Sequence, residues 1–287
     1  MISANPISWV DQALTRKWDA LTARVRPEWL PRQISGKKVR HFQEFGCGHY
    51  GCVYPTAQPG IVFKVTSDPT EAFFVAYVLR TKQQVDGLVR YYQVLAIEGE
   101  SRRNRPVFII VRDEAMHVGN VREVLDGRET HSLRFSLYYM QDLAKRMREV
   151  YKKLRVIHEV QNDPKWILRE LDRASSWTST FPLPGGEYPP MAQIKRFQGV
   201  QRLALAYKAY RDKAEEMYST QHQYLLGEAF MTYLDDEIIL ADVHMGNIGM
   251  PIGSVEERVG SGEPIIVDPG HTFALDSALE HERIDVL

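Results

Sequence analysis

The stretch IILADVHMGNIGM, residues 238–250, sets the terms on which the rest of the chain is read. An apolar run leads into Asp242, Asn247 follows five positions later, and a second apolar run comes directly after. Downstream, PIIVDPG (residues 264–270) brings Asp268 to the end of another β-like run, just before Pro269 and Gly270. An isolated Asp-Pro-Gly is a turn signal. Combined with Asp-x-x-x-x-Asn it supplies two carboxylates and an amide at the ends of apolar strands. Phosphoryl transfer needs such a set: an aspartate to orient an acceptor hydroxyl and take its proton, and oxygen ligands for Mg²⁺. Asp242 is the candidate base, and Asn247 and Asp268 are the candidate metal ligands.

Working outward, GCGHYGCVY (residues 46–54) spaces Gly46, Gly48 and Gly51 as Gly-x-Gly-x-x-Gly. A dinucleotide-binding version runs from strand into helix. Here Cys52, Val53, Tyr54 and Pro55 predict a second strand, the form of a flap folded over nucleotide phosphates. Glycines let backbone N–H groups approach those phosphates, and Val53 is placed to pack on a base. IVFKV (residues 61–65) sets Lys64 inside an apolar strand. The plain reading is an edge-strand lysine with its head in water. Beside the carboxylates, the functional reading is a lysine that grips phosphates and pairs with a helical glutamate. Glu71 is the candidate partner. It lies on the helix predicted in SDPTEAFFVAYVLRTK (residues 67–82), where Ser67 or Asp68 caps, Pro69 suits the first turn and Glu71 also complements the dipole.

At 287 residues the chain is long enough for one large domain or two lobes sharing a cleft. Its 36 basic residues nearly cancel its 37 acidic ones, so nothing global points to a nucleic acid or membrane partner. The N-terminal MISANPISWV lacks the basic start and apolar core of a signal peptide. No apolar run approaches the roughly 20 residues of a membrane-spanning helix. Cys47 and Cys52 fall short of a disulfide framework or a complete zinc site. A reduced, cytoplasmic compartment is therefore expected, with Cys47 a small loop filler.

Residues 8–26 space Trp9, Ala13, Leu14, Trp18, Leu21 and Val25 as one amphipathic helix. From about residue 39, short β runs separated by turns predict an antiparallel sheet. After about residue 115 helices dominate, and Leu133, Leu137, Met140, Leu143, Met147, Val150, Leu154 and Ile157 form one apolar stripe. KRMREVYKKLR (residues 145–155) reads as a solvated helix face, and TSTFPLPGGEYPP (residues 178–190) as a loop. His49, His117 and His271 show no metal-ligand spacing. The expected outline is α+β, with an N-terminal helical extension (1–37), a small antiparallel-β lobe (38–115) and a larger helical lobe (116–287).

Taken in order over about residues 40–272, these motifs resemble the protein-kinase-like superfamily. GCGHYGCV is similar to its glycine-rich loop, Lys64 in VFK to its strand lysine, Asp242 and Asn247 to its catalytic loop, and Asp268 to the aspartate of its Asp-Phe-Gly motif. FIIVRDEAMHV (residues 108–118), with Val111, resembles the hinge whose backbone binds adenine. The resemblance implies a bilobal fold, ATP and Mg²⁺ as cofactors, and His244 within the catalytic loop. His244 stands where conventional serine/threonine kinases carry lysine, a pattern similar to small-molecule, lipopolysaccharide, atypical and bacteriophage kinases. Leu240 and Ala241 replace the usual His-Arg, and Pro269 replaces phenylalanine. Only 17 residues follow Gly270, too few for an Ala-Pro-Glu segment, and this layout resembles short bacteriophage and bacterial serine/threonine kinases. A protein serine or threonine is the acceptor this implies. A small-molecule acceptor, as in aminoglycoside and choline kinases, a nucleotide-binding pseudokinase and a nucleotidylyl transferase are the alternatives. The oligomeric state and the orientation of ATP stay open.

Overall fold

The computed structural model describes residues 9–34, 41, 42, 44–48, 50–102, 105–117, 127–156, 163, 165–175, 191–219, 224–252, 264–276, 279 and 282–287. The predicted loop at 178–190, His49 and Ile157 lie outside this set.

The N-terminal amphipathic stretch forms two helices where one is predicted, α1 (Trp9–Arg16) and α2 (Trp18–Arg24). Lys17, at φ −102° and ψ 12°, bends the axis, while Lys17 N–H to Ala13 O and Leu21 N–H to Lys17 O carry the ladder through. Ala13, Leu14, Trp18, Leu21 and Val25 are buried as their spacing predicts.

Strands β1 (Gln33–Ile34) and β2 (His41–Phe42) make a small antiparallel pair. The main sheet uses β3 (Gly46–Cys47), β4 (Gly51–Pro55), β5 (Ile61–Thr66), β6 (Tyr91–Arg102) and β7 (Arg105–Asp113). With β13 (Asp285–Val286) added, its order is β13-β6-β7-β5-β4-β3. All neighbours are antiparallel except β13, which runs parallel to β6. The strand period of two divides the side chains between two cores. Phe63, Val65, Ile109 and Val111 face α1 and α2, whereas Ile110 faces the helical side.

That second side is filled first by α3 (Pro69–Thr81), capped by Asp68, whose side chain accepts from Thr70 N–H. Lys82 ends the helix in the left-handed region at φ 59°. Beyond it lie β8 (Ala115–His117), α4 (Gly127–Leu154), α5 (Trp166–Ser175), α6 (Met191–Ser219) and α7 (Tyr224–Asp235). Helix α4 packs on α6, and α6 on α7. The predicted stripe of α4 is buried at Leu133, Leu137, Met140, Leu143, Met147 and Leu154. Within the basic run, Met147, Tyr151 and Leu154 turn inward, while Lys145, Arg146, Lys152, Lys153 and Arg155 are exposed.

Short strands then frame the segment from Leu240 to Asn247. β9 (Ile238–Ile239) pairs with β12 (Phe273–Ala274), and β10 (Ile248–Pro251) lies between β8 and β11 (Ile265–Ile266). The fold is mixed α+β with antiparallel sheets. Among the described residues no helix is long and apolar enough to cross a membrane.

Phe74 joins α3 to the helices, fully buried and edge-on to Tyr233 of α7 with ring centroids 4.8 Å apart. Phe74→Ala should cost about 3–5 kcal/mol of unfolding free energy, the usual loss for a buried phenylalanine. Urea denaturation measures it, and a loss well under that range would mean α3 is not packed as described.

Candidate active site

Lys64 sits in the middle of β5, with Val53 of β4 on one side and Ile110 of β7 on the other. Its Nζ donates to Glu71 Oε1 at 2.6 Å and to Asp268 Oδ2 at 2.7 Å. The lysine is 6% exposed and Glu71 only 1%. A buried ammonium with no counter-charge would be expelled or neutralised. Burial does work against the Lys64 charge, yet Asp268 and Glu71 outweigh it and hold the ammonium above its ordinary pKa. Two carboxylates share this one cation, and they settle differently. Burial, with the charge of Asp268, outweighs Lys64 at Glu71 and pushes its carboxyl up to about 7. Burial would also raise Asp268, but the Lys64 charge and hydrogen bond hold it below the usual carboxylate range.

Asp242 follows β9 in a segment that α6 steadies, since Tyr210 Oη donates to Leu240 O at 3.0 Å. Asn247 Nδ2 donates to Asp242 O at 2.6 Å, closing the loop on itself. With the amide nitrogen so engaged, the side-chain oxygen is what Asn247 can offer a cation. His244 caps the short 3₁₀ turn Met245–Asn247, its Nδ1 accepting from Gly246 N–H at 3.0 Å. Its Nε2 lies 3.9 Å from Asp242 Oδ1. The role this geometry gives His244 is to shape the loop. The Asn247 carbonyl accepts from Val267 N–H at 2.9 Å, which ties the loop to the strand that delivers Asp268. A Cβ placed on Gly270 would lie 3.3 Å from Asp68 Oδ2, 3.6 Å from Asp242 Oδ2 and 3.6 Å from Asp268 Oδ1. Three carboxylates therefore converge where the chain has no side chain.

These groups line a cavity of about 610 Å³ together with Gly46, Gly48, Gly51 and Val53. The three glycines are glycines for different reasons. A Cβ on Gly51 would sit 1.8 Å from the Val65 carbonyl oxygen, so β4 could not pair with β5 there. At Gly46 and Gly48 a Cβ would meet nothing within 4 Å, and neither has a positive φ. Packing thus explains Gly51, whereas Gly46 and Gly48 line the cavity with nothing crowding them among the described residues.

Two expectations need correction. Val111 does not reach the cavity. Strand alternation turns it into the core shared with α1 and α2, and its backbone is committed opposite Phe63 and Gln93. Arg112, Glu114, Ala115 and Met116 line the cavity instead. Nor is Cys47 a free loop filler, because it is disulfide-bonded to Cys52. The β3–β4 register sets the two cysteines directly opposite each other across the glycine turn. With the two cysteines paired, they no longer argue for a reduced compartment.

Five residues near the cavity carry no weight in the sequence motifs. Gln141 of α4 donates from Nε2 to Asp242 Oδ1 at 3.0 Å. Arg112 is buried at 7% exposure, lines the cavity, and adds to Lys64 in holding Asp268 ionised. Its signal was a charged residue inside the apolar run FIIVRD. Asp68, Tyr50 and His271 bond to one another's neighbourhoods across more than 200 positions, where no local spacing could reveal them.

No protein family matches the sequence, and no curated protein does. Among solved structures the chain is similar to the BubR1 kinase domain, at 12% identity and a TM-score of 0.29. The likeness covers 96% of this chain and 63% of that one, so this chain spans less than two thirds of its length. At that TM-score the likeness fixes neither fold nor activity.

The Glu71 shift has a sign that can be measured. Its carboxyl moves from an ordinary 4.5 to about 7, so the folded chain holds an extra proton between those values. The associated stability is complete below the lower value and is lost as pH rises through the higher one. In the metal-free protein Glu71→Gln should flatten that part of the pH–stability profile. Urea unfolding at stepped pH tests this, and an unaltered slope contradicts it. The glycines separate in the same assay. Gly51→Ala should cost about 1–3 kcal/mol through overpacking, while Gly48→Ala should stay within about 0.5 kcal/mol of the parent.

Proposed function

We propose that the chain is an ATP- and Mg²⁺-dependent phosphotransferase that uses a serine or threonine hydroxyl of a protein as acceptor. The supporting observation is the convergence on one cavity of Lys64, held between Glu71 and Asp268, with Asp242, Asn247 and an unobstructed glycine turn. In this reading residues 38–115 form the nucleotide-binding lobe, 116–287 the lobe with the catalytic loop, and 1–37 an extension.

The donor set fits the cofactors. A carboxylate and an amide oxygen are the hard ligands Mg²⁺ prefers, and a lysine ammonium suits phosphate oxygens. Asp268 and Asn247 would hold the ion, which supplies charge neutralisation on the phosphates when bound. Lys64 binds and orients the α- and β-phosphates, and Glu71 holds the lysine in place. The open space at Gly46 and Gly48 lets the nucleotide come close to the turn, whose shape is held by the Gly48 N–H donating to Gly51 O at 2.8 Å. Gln141 occupies Asp242 Oδ1, which leaves Oδ2 to accept the proton of the acceptor hydroxyl. The hydroxyl oxygen then forms a bond to the γ-phosphorus as the bond to the bridging oxygen breaks. The products are a phosphorylated alcohol and ADP, and the proton ends on Asp242.

Asp242→Asn keeps the size and hydrogen bonds of the residue and removes the base. It should lower transfer by about 10²–10⁴-fold, the range for a positioned general base. The assay incubates the purified protein with γ-labelled ATP, Mg²⁺ and cell lysate. Label on proteins supports the acceptor proposed, label only in small molecules moves the acceptor class, and label only from α-labelled ATP indicates nucleotidylyl transfer. Normal turnover by Asp242→Asn would overturn the assignment.

A further inference from the structure

Asp68 stands outside the residues just assigned, although both oxygens of its carboxylate are engaged. Oδ1 accepts from the Thr70 backbone N–H at 2.9 Å and from the Thr70 hydroxyl at 2.7 Å, which caps α3. Oδ2 accepts from the backbone N–H of His271 at 3.3 Å. The residue is 4% exposed. A helix cap needs only one oxygen, so the second bond calls for a separate account. One carboxylate joins the first turn of the helix that carries Glu71 to the turn that follows Asp268.

The surroundings tighten this joint. His271 has a φ of 56°, a conformation a non-glycine residue keeps only when its neighbours hold it. Its Nε2 lies 3.3 Å from the Tyr50 hydroxyl, at the tip of the glycine turn. The Tyr50 carbonyl accepts from both the backbone N–H and the hydroxyl of Ser67, at 2.8 and 2.9 Å. Glycine turn, β5–α3 junction and Asp268 turn therefore close into a ring of hydrogen bonds, with Asp68 as the member common to helix and turn.

We infer that Asp68 is a positioning residue that anchors the 268–271 turn to α3 and so presents Asp268 to the Mg²⁺ of the proposed reaction. The metal half of this rests on the phosphotransferase reading, and the anchoring half does not. Lys64 meets Glu71 and Asp268 together only while helix and turn keep their spacing, and the Asp68 carboxylate spans that spacing directly.

Asp68→Asn separates the two bonds. Asparagine caps helices as well as aspartate does. With its oxygen on Thr70, however, its amide nitrogen faces the His271 N–H, donor against donor. Two readouts are taken on the full chain: hydrogen exchange of the backbone over residues 269–272, and calorimetric affinity for Mg²⁺ in the presence of a non-hydrolysable ATP analogue. Exchange should speed up at least about tenfold, and Mg²⁺ affinity should fall about tenfold, as when a metal-ligating group loses its supporting partner. The thermal midpoint should stay within about 3 °C because the cap survives. Unchanged exchange in Asp68→Asn overturns the anchoring, and so does failure of that variant to fold. Faster exchange with unchanged Mg²⁺ affinity overturns the positioning role. Should the parent itself bind no Mg²⁺-nucleotide, the phosphotransferase reading falls, and exchange alone still decides the anchor.

Discussion

An ammonium group removed from water must be met by negative charge, and Lys64 is met twice. Glu71 reaches it from α3 and Asp268 from the turn after β11, both within 2.7 Å. Breaking such a buried arrangement by losing one partner leaves an uncompensated charge in a poorly solvated place, which is among the costlier events in a protein interior. Sheet, helix and turn are therefore obliged to keep one spacing. The arrangement also carries two carboxylates against one bonded lysine, with Asp242 and Asp68 close by at Gly270. Such an excess of negative charge around one ammonium is the condition that a divalent cation relieves.

Around this centre each element has a definite task. The β4–β5 pairing admits only glycine at 51 and sets the height of the glycine turn above Lys64. Helices α4 and α6 act on the Asp242–Asn247 loop through single polar groups, Gln141 on the Asp242 side chain and Tyr210 on the Leu240 carbonyl. Both come from the helical part of the chain, whose core also takes in Leu240, Ala241, Val243 and Ile248 of the loop segment. The disulfide between Cys47 and Cys52 joins the strands on either side of the glycine turn, close to where phosphates would lie.

Much of the candidate site was legible because its residues stand out locally. Asp242 and Asn247 are five positions apart in one loop, Asp268 ends a strand, and Lys64 interrupts an apolar run, so each stands out against its neighbours. Glu71 was findable as the acidic residue in the first turn of a well-signalled helix. The α4 stripe was legible from its 3.6-residue period. What escaped has different physics. Gln141 meets Asp242 across 101 positions and His271 meets Asp68 across 203, and such contacts leave no trace in local spacing. Val111 was misplaced because a resemblance to a hinge does not say which face of the strand a residue takes. The bend at Lys17 follows no sequence signal, since neither proline nor glycine is there. The cysteines pair because of strand register, which a count of two could not reveal.

In the proposed reading the Lys64–Glu71–Asp268 cluster is a grip for Mg²⁺ and nucleotide phosphates. The most direct measurement is calorimetric titration of the metal-free protein with a non-hydrolysable ATP analogue, with and without Mg²⁺, in the parent and in Asp268→Asn. Binding that Mg²⁺ strengthens is expected in the parent, with most of that Mg²⁺ effect gone in Asp268→Asn. Nucleotide binding that ignores Mg²⁺, or an undiminished Mg²⁺ effect in Asp268→Asn, would contradict it.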